Sequence, residues 1–264
     1  MNESSIIRRR ILDIAYKSQA SHIGACLSVV EMLLSIYGNI DLLKIRNKVD
    51  DRDRVIVSKG HSAAALYVVL NYVGLLSDKE LGTYYQNNSI LGGHVSSAVI
   101  AVEHSTGALG HGLPVAVGIS IGLISKKMGS NVYVLVGDGE LHEGTNWEAI
   151  HLAGHLGLNN LCLLIDYNGL SGIGRINDCC SIEPLKERLE SNGFETHERD
   201  GHDQGGIDFT LQLQKLRGTG HPMAIICHTV KGKGVSFMEN NNTWHYKSLG
   251  KEDYEKAILE IGNR

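Results

Sequence analysis

The chain has 264 residues, 42% of them hydrophobic, with a formal net charge of -4. That length supports one large α/β domain with a sizeable core, and the charge balance argues against nucleic acid or a polybasic membrane role. No apolar run reaches the length of a membrane span. The start, "MNESSIIRRR", leads into an amphipathic helical stretch and lacks the apolar core and cleavage site of a signal peptide.

In chain order, helical periodicity covers roughly Ser4 to Ser18 and Ser28 to Tyr37. A short strand "RVIVS" runs into "KGHSAAALYVVLNYVG", a helix starting near Ser62. "HGLPVAVGISIGLISKKMG" reads as an apolar helix with small residues, "NVYVLV" as a buried strand, "NWEAIHLAGHLG" as a helix and "NLCLLID" as another buried strand. "PLKERLESNG" is helical and stops at Gly193, "MAIICHTV" is a further buried strand, and "KEDYEKAILEIG" is a short amphipathic helix. Apolar β-rich runs between helices mean parallel strands covered on both faces. The fold class is α/β, a doubly wound, mostly parallel sheet with helices on both faces, and residues 1–264 read as a single domain.

Five cysteines with no C-x-x-C, three of them in apolar runs, fit a reducing cytosol and a cytoplasmic protein better than a disulfide framework. With 31 glycines and 3 prolines, many tight turns and close backbone approaches are expected.

Ligands of such sheets bind at the carboxyl ends of the strands. Lys59 and His61 follow "RVIVS", Asp138 follows "NVYVLV", Asn168 follows "NLCLLID", and His228 and Lys231 end "MAIICHTV". The stretch "GDGELHEG" holds Asp138 between two glycines. Four readings compete for it: a capped strand-to-helix turn, a dinucleotide fingerprint, a P-loop, and a magnesium–diphosphate site. The fingerprint fails because His142 stands where the third glycine belongs, and no G-x-x-x-x-G-K-[ST] occurs. Magnesium needs several oxygen ligands and shares them with phosphates. Asn168, 30 residues after Asp138, supplies a second donor one β-α-β crossover away, and the carbonyl of Leu170 is a candidate third.

Asp-Gly followed after 28 residues by an asparagine that ends a strand resembles the thiamine diphosphate motif. "GDGELHEGTNWEA", "STGALGHGL", "SKGHSAAALY" and "VKGKGVSFMENNNTWH" resemble the amino-terminal half of transketolase, in that family's order over nearly the entire chain. The resemblance implies a diphosphate-binding domain that holds thiamine diphosphate and Mg2+, with Ca2+ or Mn2+ as substitutes. It makes Asp138, Asn168 and the Leu170 carbonyl the metal ligands, and lets Gly139 bring the backbone close to the diphosphate. Gly107 and Leu109 in "TGALG" would meet the cofactor. His22 and His94 would meet substrate oxygens. His61 and His245 would meet both cofactor and substrate. Glu143 would stand near a dimer interface in a proton relay between active sites, touching the cofactor; its plain alternative is a carboxylate favouring a helix N-terminus. Imidazoles suit this chemistry because they exchange protons near neutral pH.

Other polar groups carry plainer readings. His151 and His155, at i and i+4, have the spacing of a zinc pair but lack H-E-x-x-H. "DGHD", Asp200 to Asp203, reads as structural, and "KGKG", Lys231 to Gly234, as a solvated basic loop. Gly172 departs from the family pattern, which has an apolar residue there. Tyr246 replaces a common glycine and could narrow the substrate channel, and "GGHVSS" lacks the proline often found after that histidine.

Full transketolases are more than twice as long, with pyrimidine-binding and C-terminal domains. The resemblance therefore implies the amino-terminal subunit of a split enzyme, with those domains on a separate chain in an α2β2 assembly. The implied reaction moves a two-carbon ketol unit from a ketose, its phosphate or a modified sugar to an aldose acceptor. The alternatives are a subunit of a 2-oxo acid dehydrogenase or decarboxylase, a non-catalytic homologue, and, more distantly, a magnesium-dependent phosphohydrolase.

Overall fold

In the computed structural model, which describes residues 2–217 and 220–262, five strands form one parallel sheet in the order β1-β2-β3-β5-β4. They are β1 (Arg54–Val57), β2 (Val132–Gly137), β3 (Leu161–Tyr167), β4 (Glu195–Asp200) and β5 (Met223–His228). Before β1 come α1 (Glu3–Ser18), α2 (Ile23–Ser28), α3 (Val30–Gly38) and α4 (Leu42–Arg46). Between β1 and β2 lie α5 (Ala63–Tyr72), α6 (Asp78–Leu81) and α7 (Gly112–Ser125). Then α8 (Gly144–His155) connects β2 to β3, α9 (Ile176–Cys179) and α10 (Leu185–Ser191) follow β3, α11 (Gln204–Arg217) joins β4 to β5, and α12 (Lys251–Gly262) follows β5.

The central strands are apolar on both faces because both are covered. Tyr133, Leu135, Cys162, Leu164, Ile225 and Cys227 pack on one side, against residues of α1, α3, α5 and α11. Val134, Val136, Leu163, Ile165, Ala224 and Ile226 alternate to the other side, against α7, α8 and α10. β2 and β3 pair directly, with Gly137 opposite Asp166, so the residues that follow each strand share one rim.

The helix expected from Ser28 to Tyr37 is α3, which begins two residues later, at Val30. α2 ends at Ser28, and Val29 lies outside helical geometry before α3 begins. The Ser28 hydroxyl donates to the Asp166 carboxylate at 2.8 Å and also reaches the Ala25 carbonyl, a back-bond of the kind that bends helices. Besides the short helices α2, α4, α6 and α9, two elements lie outside the sequence expectations. β4, "ETHERD", is a sheet-edge strand with charged, partly exposed positions, and α11 starts with Gly205 and Gly206 in its first turn. Neither carries a strong apolar period.

Candidate functional site

The carboxyl ends of β1, β2 and β3 open onto a cleft of about 300 Å³. Asp138 stands just after β2 and is 2% exposed. Its carboxylate accepts the backbone N–H groups of Gly139 and Gly169, the second from the loop after β3. Asn168 begins that loop. Its amide nitrogen donates to Asp166 at 3.0 Å while its oxygen accepts the Leu170 N–H. Asp138, Asn168, Leu170 and Gly139 all line the cleft, as do Gly107 and Leu109 from the loop before α7. Gly139 also has a packing reason: a Cβ there would lie 3.2 Å from the Cβ of Ser171.

Four histidines from distant parts of the chain meet over this rim. The His22 ring lies 5.4 Å from His61, 5.7 Å from His94 and 5.0 Å from His245, centroid to centroid. His22 adopts a left-handed backbone, φ 64°, and its N–H donates to the His245 carbonyl at 2.9 Å, which joins the two segments. Burial, then His94 and Lys231, pushes the His22 imidazolium down to about 4. Burial, then Lys231, His22 and Lys59, pushes His245 down to about 3, and His61 is likewise held well below its ordinary value, by burial first and then Lys59. In the unliganded cleft, burial and the neighbouring cations thus favour the neutral form of these rings. All three are neutral at pH 7, as hydrogen-bonding imidazoles. The Nδ1 of His245 is buried with no hydrogen-bond partner among the described residues.

Three buried charged groups complete the site, two that the sequence motifs do not single out and one that they place at a strand end but read as solvated. Asp166, at the end of β3, is fully buried. It accepts from Lys59 Nζ, Thr229 Oγ1, Ser28 Oγ and Asn168 Nδ2. Burial pushes its carboxyl up, but the Lys59 ammonium and the two hydroxyls outweigh it and hold the group below the usual carboxylate range. Glu140 is 2% exposed and accepts from Ser58, from Gly110 N–H at 3.0 Å and from Gly137 N–H at 3.4 Å, so it ties the ends of β1 and β2 to the loop before α7. Burial raises its carboxyl.

The third is Lys231. The expectation of a solvated loop there is overturned. Lys231 is 2% exposed, lines the cleft, and its ammonium donates to the carbonyls of Leu170 at 3.3 Å and Ser171 at 3.0 Å and to Asn242 Oδ1 at 3.1 Å. Burial, then Lys59, lowers it to about 8. Apolar stems hide such groups in a sequence: "KGKG" reads the same whether its first lysine faces water or folds inward.

Two other residues lie away from the cleft. His228 ends β5 on the surface, bonded to Glu198 at 2.8 Å, because the last residue of a strand points to one face or the other and here it points out. Glu143 is exposed, does not line the cleft, and caps the start of α8 by position without a side-chain cap bond. His151 pairs with Asn192, and His202 of "DGHD" accepts the Val230 N–H and meets Glu31, a structural placement.

The donor set has a clear chemistry. A carboxylate, an amide oxygen and a carbonyl on one rim suit a hard divalent cation. The Lys231 ammonium bonds the Leu170 carbonyl at the edge of this set. Burial, then the charge of Asp166, pushes Asp138 up to about 6, and a cation at this rim would favour its ionised form. Lys59 and Lys231 suit anionic oxygens, and the orphaned His245 nitrogen awaits a ligand atom.

A family model described as "Transketolase, thiamine diphosphate binding domain" matches residues 2–263. The chain is 40% identical over 264 residues to one subunit of the apulose-4-phosphate transketolase of Actinobacillus succinogenes, covering 98% of this chain and 94% of that relative. It is 30% identical over 262 residues to the 6-deoxy-6-sulfo-D-fructose transketolase subunit SqwG of a Clostridium species, covering 98% and 95%. Its fold is similar to the crystal structure of transketolase from Campylobacter jejuni, with a TM-score of 0.86 and 31% identity, covering 99% of this chain and 43% of that one.

Proposed function

The chain belongs to the transketolase family as its thiamine diphosphate binding domain, and on that footing we propose that it is the amino-terminal subunit of a two-chain transketolase. The relatives named as transketolase subunits match it over nearly their whole length, whereas the solved Campylobacter transketolase is more than twice as long. The groups found in that longer chain and not in this one would come from a second subunit, in an α2β2 assembly. Glu143, exposed at the start of α8, is suited to face that subunit. All five cysteines are free thiols, which supports a cytoplasmic location, and among the described residues no helix is long and apolar enough to cross a membrane.

The observation that carries the proposal is one cleft holding Asp138, Asn168, the Leu170 carbonyl and four imidazoles. Asp138, Asn168 and Leu170 would hold Mg2+, with Ca2+ or Mn2+ as substitutes for the same oxygen donors. Lys59, Lys231, His61 and His245 would hold the diphosphate, with Gly107, Leu109 and Gly139 giving close backbone approach. When bound, the cofactor supplies the nucleophile and electron sink for breaking a ketose C2–C3 bond. The chain's residues position and shield. The neutral rings of His22, His61 and His245, with His94, donate to or accept from the sugar's hydroxyls and hold the proton of a developing alkoxide. The donor is a ketose, its phosphate or a modified ketose, and the acceptor an aldose. Neither nucleic acid nor membrane is involved.

Titration calorimetry tests this. Thiamine diphosphate with Mg2+ is added to the chain alone and to its complex with the companion chain. Binding is expected, stronger in the complex, and Asp138→Ala should weaken it by at least about 10- to 100-fold, the range for losing even a residue that only supports a metal ligand. Equal affinity in the variant would remove the metal assignment, and no binding to the folded complex would remove the cofactor role altogether.

A further inference from the structure

Tyr246 stands at the mouth of the cleft, next to the imidazoles but outside the residues assigned so far. Its ring meets His245 edge-on at 4.7 Å and His22 at 6.4 Å. Its hydroxyl lies over Gly172: a Cβ added there would sit 2.9 Å from the phenol oxygen and 3.3 Å from His245 Nε2. The space that a side chain at 172 would need is filled by the ring at 246, so the two residues act as one unit.

The backbone that carries this ring is firmly held. Asn242 donates to the Gly172 carbonyl at 3.0 Å and receives Lys231 at 3.1 Å. The Trp244 indole donates to the Phe237 carbonyl at 3.2 Å, and the His245 carbonyl receives His22. The side chain itself is 65% exposed, and its hydroxyl bonds to no described residue. A donor and acceptor on a well-held backbone, lining the cleft over Gly172 and bonded to no described residue, is placed for a ligand.

We propose that Tyr246 is a specificity-determining residue for the sugar, selecting a compact, branched ketose phosphate over an extended straight-chain one. The inference rests on the ketol-transfer reading above. The histidines grip the reacting end of the ketose, so the rest of the sugar must leave the cluster past Tyr246. A straight chain runs into the ring. A branched ketose carries its hydroxyls within a shorter reach and offers one to the phenol. A neutral hydrogen bond of this kind changes affinity by about tenfold.

The test uses the complex with its companion chain, thiamine diphosphate and Mg2+. kcat/KM is measured for apulose 4-phosphate, a branched ketose phosphate, and for a straight-chain pentulose 5-phosphate, in wild type, Tyr246→Phe and Tyr246→Gly. Cofactor affinity is measured alongside and should stay within about twofold, since Tyr246 is assigned no cofactor contact. Wild type should prefer the branched donor. Tyr246→Phe should lose about tenfold on that donor, mostly in KM, and Tyr246→Gly should shift the preference at least about tenfold toward the straight chain. Turnover with the same preference in all three proteins, or a wild type that favours the straight chain, overturns the proposal and leaves ketol transfer standing. A cofactor-loaded complex that turns over no ketose donor overturns both.

Discussion

At Lys231 an ammonium group sits among two backbone carbonyls and an amide, at the edge of a cleft whose other walls are carboxylates and neutral imidazoles. It ties the loop after β3 to the 3-10 turn at Asn242–His245, and it stands where an anionic ligand would rest. Lys231→Met keeps most of the stem and removes the charge. Thiamine diphosphate affinity should fall about 10- to 100-fold, the range of a charge-assisted hydrogen bond, with little change in melting temperature. Calorimetry beside a melting curve checks this. Unchanged affinity would reduce Lys231 to a strut between two loops. At this scale the sequence is unevenly legible. Asp138 and Asn168 can be read because each follows a recognisable strand, and His22, His61, His94 and His245 because each sits in a short stretch that resembles a family motif. Glu140 and Asp166 cannot, and Lys231 can be placed at a strand end but not read as buried, because their importance lies in burial and in partners as far as 138 residues away, which no local pattern records.

Among the elements, α8 makes the sharpest prediction. Gly154 lies in its last turn, where alanine would ordinarily favour a helix by up to about 1 kcal/mol. A Cβ there would overlap the Asn192 carbonyl oxygen, in the turn between α10 and β4. Gly154→Ala should therefore destabilise by about 1–3 kcal/mol despite its better propensity, read as a lower denaturant midpoint with an unchanged slope. A stabilised variant would mean that the turn yields easily. β1, β2, β3 and β5 can be read from the sequence because burial leaves short continuous apolar runs. β4 cannot, since "ETHERD" keeps charged, partly exposed positions along an edge of the sheet. The break at Val29 is hidden for another reason: it answers to Asp166, 138 residues from Ser28.

Across the whole molecule, pH enters through a second buried charge group. Arg8 grips both oxygens of Glu31 at 2.7 Å, and His202 adds a third contact at 3.2 Å, joining α1, α3 and the segment after β4. Burial alone would push the Glu31 carboxyl up, but His202 and Arg8 hold it down at about 2. Because the folded value lies below the unfolded one, the stabilisation is complete above about pH 4.5 and is lost as pH falls toward 2, a loss of roughly 3 kcal/mol. Denaturation midpoints between pH 6 and 3 should therefore fall faster in wild type than in Glu31→Gln, which starts lower because Arg8 is left unpaired. Parallel slopes would show that other carboxylates govern acid unfolding. The Lys59–Asp166 contact has a bearing on assembly of the chain itself. It joins the ends of β1 and β3 across β2, and side chains along a strand alternate in direction. If β3 paired one residue out of step, Asp166 would turn to the opposite face, stranding a buried lysine without its counter-charge and leaving Asn168 unsupported. The same bond that shapes the cleft thus works as a proofreader of strand alignment: a misregistered sheet is penalised at the place where its error would spoil catalysis.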